Sequence, residues 1–120
     1  DRGQLAVAHA GLEDSMVGKT GRAVRDFCRH GEGPRSPRRG TWIERHRGHE
    51  LVVHGHTPVA EPRILNHTLN IDTGCVLGGH LTAFRWPERT LMQVPAQALH
   101  FDAGWAPAPP PREVTLEATV

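Results

Sequence analysis

The stretch that decides the fold runs from Leu51 to Glu88 and reads LVVHGHTPVAEPRILNHTLNIDTGCVLGGHLTAFRWPE. Its first residues, 51–53, are apolar and mostly β-branched, which is typical of a buried strand. The following segment 55–58 ends that strand, because glycine tolerates unusual dihedral angles and proline cannot donate to a β-ladder. A side chain at such a break is held by a rigid scaffold. We therefore expect His56 to be presented at a strand end, where metal ligands and catalytic groups commonly lie.

The rest of the chain reads as short strands with few helices. Leu5–Ala8 is apolar and ends at His9, which repeats the arrangement at His56. Val24, Phe27 and Cys28 have the i, i+3, i+4 spacing of one helix face. Together these patterns predict strands at 5–8, 51–54, 65–71, 81–86 and 90–94, a hairpin turn at 87–89, and helices at 21–28 and 41–49.

Composition indicates one domain or part of one, because the chain has only 120 residues. Lys and Arg number fourteen against thirteen Asp and Glu, so charge gives no strong case for nucleic-acid binding. Cys28 and Cys75 lack Cys-x-x-Cys spacing and are expected to be reduced thiols. With neither an 18-residue apolar run nor a signal peptide, we expect a cytoplasmic protein without membrane contact. Because it opens without methionine, we also expect a fragment.

Three further parts of the chain have no function that their residues alone determine. The segment 29–40 carries four arginines, which either are solvated or hold a polyanionic substrate. His46 and His49 are three residues apart, as metal ligands on a helix can be, but we interpret both as surface residues. The proline-rich segment 105–120 is expected to be a linker toward a missing downstream domain, which leaves 1–104 as the folded part.

Three motifs carry a family resemblance: Ala8-His9-Ala10-Gly11, then the segment 55–59 (GHTPV), then the segment 70–88 (NIDTGCVLGGHLTAFRWPE). With their order and spacing, the chain resembles the calcineurin-like metallophosphoesterases of the phosphoprotein-phosphatase-like branch. The likeness is closest to the central phosphatase domain of bacterial polynucleotide kinase-phosphatases. It implies an α+β fold, the C-terminal half of a four-layer αββα sandwich, β-rich with short helices.

The resemblance also implies a metal site. His9 and His56 match the two late histidine ligands of the family, and the other ligands would lie upstream of this chain. Taken singly, without the resemblance, each histidine is better interpreted as a buried residue satisfied by backbone hydrogen bonds than as a ligand. Imidazole and carboxylate ligands suit Mn, Fe, Zn or Ni, and the resemblance favours Mn²⁺.

Asp72 follows the apolar run that ends at Ile71 and allows two interpretations. A carboxylate before Thr73-Gly74 can be a turn former that accepts local backbone N–H groups. The resemblance instead favours a partner that orients a ligand histidine or handles a proton.

The function that follows from the resemblance is metal-dependent phosphoester hydrolysis. The expected protein is the phosphatase module of a bacterial RNA-repair kinase-phosphatase, inactive as this fragment. Its expected partners are the missing N-terminal half, a phosphate ester such as an RNA 2′,3′-phosphate end, and an RNA-repair methyltransferase. Alternatives are a serine/threonine protein phosphatase, a bis(5′-nucleosyl)-tetraphosphatase, or a degenerate non-catalytic fragment that acts only by association.

Overall fold

The computed structural model describes residues 2–33 and 39–105, together with the backbone of 114–115. These residues fold as two compact units, Asp1–Thr57 with Ile64–Asn70, and Pro58–Arg63 with Ile71–Val120. In chain order the strands are β1 (Leu5–Val7), β2 (Leu51–His54), β3 (Arg63–Leu65), β4 (Thr68–Asn70), β5 (His80–Arg85), β6 (Thr90–Pro95) and β7 (Val114–Thr115). The α-helices are α1 (Arg22–His30) and α2 (Trp42–Arg45), and single 3₁₀ turns lie at Asp14–Met16 and Cys75–Leu77. The fold is mixed α+β and rich in sheet, as predicted, and is consistent with a fragment of a metallophosphoesterase domain.

The first sheet is built around β2. Its order is β1-β2-β4-β3, and β1 and β4 both run parallel to β2. All four residues of β2 and all three of β4 are buried, with Leu51, Val52 and Leu69 at most 1% exposed. Successive side chains of a strand point to opposite faces of the sheet, so the burial of all four residues means that both faces are covered at β2, which explains the unbroken apolar run at 51–53.

The predicted strand 65–71 is wrong in its form, because the chain turns back within it. Asn66 and His67 both have positive φ, 51° and 63°, and they separate β3 from β4. Two consecutive positive φ angles are the geometry of a type I′ hairpin turn, which asparagine favours. The Asn66 side chain then donates to the carbonyl oxygens of Ile43 and His46, at 2.7 Å each.

The helices also differ from the prediction in length. Helix α1 confirms the amphipathic pattern, with Val24, Phe27 and Cys28 half-buried on an otherwise exposed helix. Helix α2 begins with a capping box between Thr41 and Glu44, but it ends at Arg45 rather than reaching 49.

The second sheet has the order β5-β6-β7. Strands β5 and β6 are antiparallel and pair from His80–Pro95 to Arg85–Thr90, so the predicted hairpin with its turn at 87–89 is confirmed. β7 lies within the predicted linker 105–120, whose other residues beyond 105 are outside the described part, so that boundary stays a prediction.

Two expectations concern single features. Both cysteines are free, in agreement with the expected thiols. Among the described residues, no helix has the length and apolar character needed to span a bilayer.

Candidate metal centre

His9 and His56 lie beyond the carboxyl ends of two neighbouring parallel strands. Backbone hydrogen bonds continue past the ladder of β1 and β2, from Ala8 N to Val53 O at 3.1 Å and from Gly55 N to His9 O at 2.8 Å. Because parallel strands end at the same sheet edge, both histidines emerge there, and both are exposed. His56 adopts φ 73°, a left-handed conformation that is uncommon for a residue other than glycine.

The two imidazole rings converge. His9 Nε2 lies 3.2 Å from His56 Nδ1, and the rings are edge-to-face with centroids 5.1 Å apart. Two nitrogens bound to one tetrahedral ion at about 2.0–2.1 Å would lie about 3.3 Å apart. The pair therefore fits two ligands of one divalent ion, which is what the resemblance predicts for these residues.

The segment behind His56 is held from the sheet. Asn70, the last residue of β4, donates from Nδ2 to the carbonyl oxygen of Thr57 at 2.9 Å. Asn70 also pairs with His54 in the ladder of β2 and β4. The turn that carries His56 is thus tied at both ends to buried strands, which fixes its direction.

His54 supports this platform from the core. It is 5% exposed, and its ring packs edge-to-face on Trp42 with centroids 4.9 Å apart. Burial lowers the pKa of His54, against a smaller opposing effect from a hydrogen bond with the Gly55 backbone. His54 is consequently neutral at neutral pH and acts as a packing residue.

Asp72 belongs to the second unit, where its turn role is visible. Its Oδ1 accepts the backbone N–H of Gly74 at 3.2 Å, and its carbonyl oxygen accepts that of Val59 at 2.9 Å. Gly74 has φ 66°, so the chain reverses directly after the carboxylate. The turn-forming interpretation is therefore satisfied geometrically, while the proton-handling role of Asp72 stays a prediction.

His46 is not the surface residue that the sequence analysis expected. It is 3% exposed, and its Nδ1 lies 2.6 Å from Asp14 Oδ1. Helix α2 ends at Arg45, and His46 follows with an extended backbone, φ −60° and ψ 127°. His49 is exposed, as expected. In the segment 29–40, residues 34–38 lie outside the described part, so its polyanion-binding role stays a prediction.

Comparison with known proteins gives a consistent set of relatives, although no protein-family model matches the chain. The chain is 48% identical over 102 residues to the bis(5′-nucleosyl)-tetraphosphatase PrpE [asymmetrical] of Anoxybacillus flavithermus, covering 80% of the chain and 42% of the relative. It is 45% identical over 102 residues to the Geobacillus sp. protein of that name, with the same shares, 80% and 42%. For the Bacillus subtilis protein of that name the identity is 42% over 111 residues, covering 88% and 46%.

These matches refine the family resemblance. The chain spans somewhat less than half the length of the curated relatives that it matches. Their shared name describes a hydrolase of phosphate bonds, which agrees with the phosphoesterase prediction. It favours the tetraphosphatase alternative over the kinase-phosphatase interpretation, which these relatives do not support.

Proposed function

We propose that the chain is the C-terminal part of an asymmetrical bis(5′-nucleosyl)-tetraphosphatase of the calcineurin-like metallophosphoesterase class. The observation that carries the proposal is the 3.2 Å approach of His9 Nε2 to His56 Nδ1 at the end of β1 and β2. The 42–48% identity to the proteins of that name supports the substrate class. The substrate would be a dinucleoside tetraphosphate, cut unequally into a nucleoside triphosphate and a monophosphate.

His9 and His56 would hold one divalent ion together with ligands from outside this chain. Such an ion supplies Lewis-acid activation of the phosphoryl group and of water. The main chain that carries the two histidines is held by the backbone hydrogen bonds from Ala8 N to Val53 O and from Gly55 N to His9 O. Imidazole donors suit several first-row ions, and Mn²⁺ is the first to test.

Asp72 is proposed to manage a proton or to orient a ligand, as the resemblance suggests. The Asp72→Asn variant separates this role from the turn. Asparagine keeps an oxygen that accepts the Gly74 N–H and removes only the charge. If the charge acts in the reaction, turnover should fall on the order of 10–100-fold, as for other residues that support a ligand.

The test uses the full-length protein of the parent reading frame, loaded with Mn²⁺. We expect triphosphate and monophosphate release from bis(5′-adenosyl) tetraphosphate, and loss of one bound metal and of turnover in His9→Ala and His56→Ala. His30→Ala is the matched control, because His30 is an exposed histidine at the end of α1. The isolated 120-residue chain should be inactive, since it carries only part of the ligand set.

Three results would count against parts of the proposal. Preference for RNA ends with 2′,3′-phosphates over the tetraphosphate would return the assignment to a kinase-phosphatase. Retention of the full metal complement in His56→Ala would remove that histidine from the metal centre. Wild-type turnover in Asp72→Asn would leave Asp72 as a turn residue only.

A further inference from the structure

A second group of metal-binding side chains lies in the first unit, away from the strand ends that carry His9 and His56. Asp14 begins the 3₁₀ turn Asp14–Met16, His46 follows α2, and Glu50 directly precedes β2. Each offers one ligand atom, and these atoms all lie within 4.8 Å of one another. We propose that Asp14, His46 and Glu50 bind a first-row divalent metal ion.

Glu50 is a buried carboxylate with an oxygen that has no partner among the described residues. Its side chain is 6% exposed, and its Oε1 has no hydrogen-bond partner among residues 2–33 and 39–105. Its Oε2 lies 3.8 Å from Nδ1 of the exposed His49, beyond hydrogen-bond range. A buried carboxylate oxygen without a partner is strongly unfavourable unless a cation accompanies it.

The His46 ring is oriented by the backbone at Glu50. Its Nε2 lies 3.2 Å from the carbonyl oxygen of Glu50, which can only accept, so Nε2 carries the proton and donates. In the neutral ring Nδ1 then presents its lone pair, and it faces Asp14 Oδ1 at 2.6 Å. An imidazole that donates one N–H to a backbone carbonyl and offers the other nitrogen is the usual arrangement of a metal-bound histidine.

The charges of the group suit a divalent ion. Asp14 and Glu50 are two carboxylates whose ligand oxygens lie within 4.8 Å of each other and of an imidazole nitrogen, and one divalent cation between them compensates both. The guanidinium of Arg45 is already engaged, because it makes ion pairs with Glu13 and Glu32.

Hydrogen bonds hold Asp14 and His46 in place, and both residues line a cavity. Asp14 Oδ2 accepts the backbone N–H of Arg47 at 2.7 Å, which fixes the second carboxylate oxygen. Asn66 donates to the carbonyl oxygen of His46 at 2.7 Å and so holds its backbone. Asp14 and His46 also line a cavity of about 180 Å³ through which an ion can enter. One imidazole with two carboxylates suits Zn²⁺, Mn²⁺, Co²⁺ or Ni²⁺.

The test uses the 120-residue chain carrying His9→Ala and His56→Ala, so that the strand-end histidines do not contribute. We expect one bound Zn²⁺ per chain and a rise in melting temperature on adding Zn²⁺. Glu50→Gln should weaken Zn²⁺ binding on the order of 100-fold or more, because it removes a proposed direct ligand. Removal of a residue that only supports a ligand typically weakens metal binding by about 10–100-fold. Its metal-free melting temperature should not fall, because the uncompensated charge is gone. Glu88→Gln, the same change at an exposed turn position, should alter neither quantity.

Co²⁺ locates the site directly. It should displace the imidazole proton resonances of His46 more than those of the exposed His30 and His100, which are not adjacent to the proposed ligands. Largest displacements at His30 or His100 would mean surface binding and overturn the proposal. So would unchanged Zn²⁺ affinity in Glu50→Gln, or an unchanged melting temperature when Zn²⁺ is added to the chain that carries only His9→Ala and His56→Ala.

Discussion

Substitution of Gly11 by alanine tests the packing beneath the candidate metal centre. Gly11 is buried, has φ 155°, and follows His9 and Ala10. A Cβ at this position would lie 2.6 Å from Trp42 Cε2 and 2.8 Å from both Cζ2 and Nε1. Trp42 cannot yield easily, because its ring is 6% exposed and packs edge-to-face on both His54 and Phe27.

The magnitude follows from two effects. Overpacking of a filled core costs about 1–3 kcal/mol, and the glycine-only backbone conformation costs about 1–3 kcal/mol more. Gly21→Ala isolates the second effect, because Gly21 has φ 129° but a Cβ there would meet no other atom within 4 Å. Gly11→Ala should therefore have a free energy of unfolding about 1–3 kcal/mol lower than that of Gly21→Ala. For a unit of this size, each kcal/mol corresponds to roughly 4–8 °C in melting temperature.

The assay is urea unfolding followed by far-UV circular dichroism, with Gly11→Ala, Gly21→Ala and the wild type measured together. Trp42→Phe adds a check, because the smaller ring relieves the contact and the double variant should lose less stability than the two single changes combined. A Gly11→Ala variant as stable as Gly21→Ala would refute the close contact between Gly11 and Trp42.

Two further predictions concern the same unit. Burial lowers the pKa of the His54 imidazole below its ordinary value of about 6.5. As the pH falls through about 6.5, this imidazole therefore becomes protonated in the unfolded chain before it does in the folded chain, and the folded state loses stability relative to the unfolded one. The melting temperature of metal-free His54→Phe should therefore fall less steeply on acidification than that of the wild type, and an equal slope would contradict the assignment. Asn66→Gly keeps the positive φ and removes the donor to Ile43 and His46, whereas Asn66→Ala also strains the turn. We expect Asn66→Gly to lose about 1–3 kcal/mol and Asn66→Ala about 1 kcal/mol more in urea unfolding, and equal losses would mean that the turn itself is unstrained.

The position of His9 and His56 at strand ends was accessible from local rules, whereas their convergence on one ion was predicted only from the family resemblance. An apolar run broken by glycine and proline marks a strand end, and parallel neighbours place successive strand ends at one edge. The distance between the rings was not accessible, since it depends on the register of β1 against β2 and on the left-handed φ of His56. Nothing in the letters GHTP prescribes that φ for a histidine.

The burial of His46 was inaccessible for a different reason. Its partner Asp14 lies 32 positions earlier in the chain, so no periodicity joins them. The early end of α2 also depends on Asn66, whose side chain in the β3–β4 hairpin donates to three carbonyl oxygens of that segment. The Thr41–Glu44 capping box marks the beginning of α2 in the sequence, but the position where α2 ends is set by tertiary contacts.

The backbone of the first sheet sets the positions from which His9 and His56 approach each other. Ala8 and Gly55 make hydrogen bonds that extend the β1–β2 ladder to the residues beside both rings. All four residues of β2, the strand that Gly55 follows, are buried, so this ladder lies in the core of the first unit. A site built this way loses little conformational entropy when it binds its ligand, because the rings are already directed toward one point. For this reason changes at Gly11 or Trp42, which touch neither imidazole nitrogen, should weaken metal binding as well as folding.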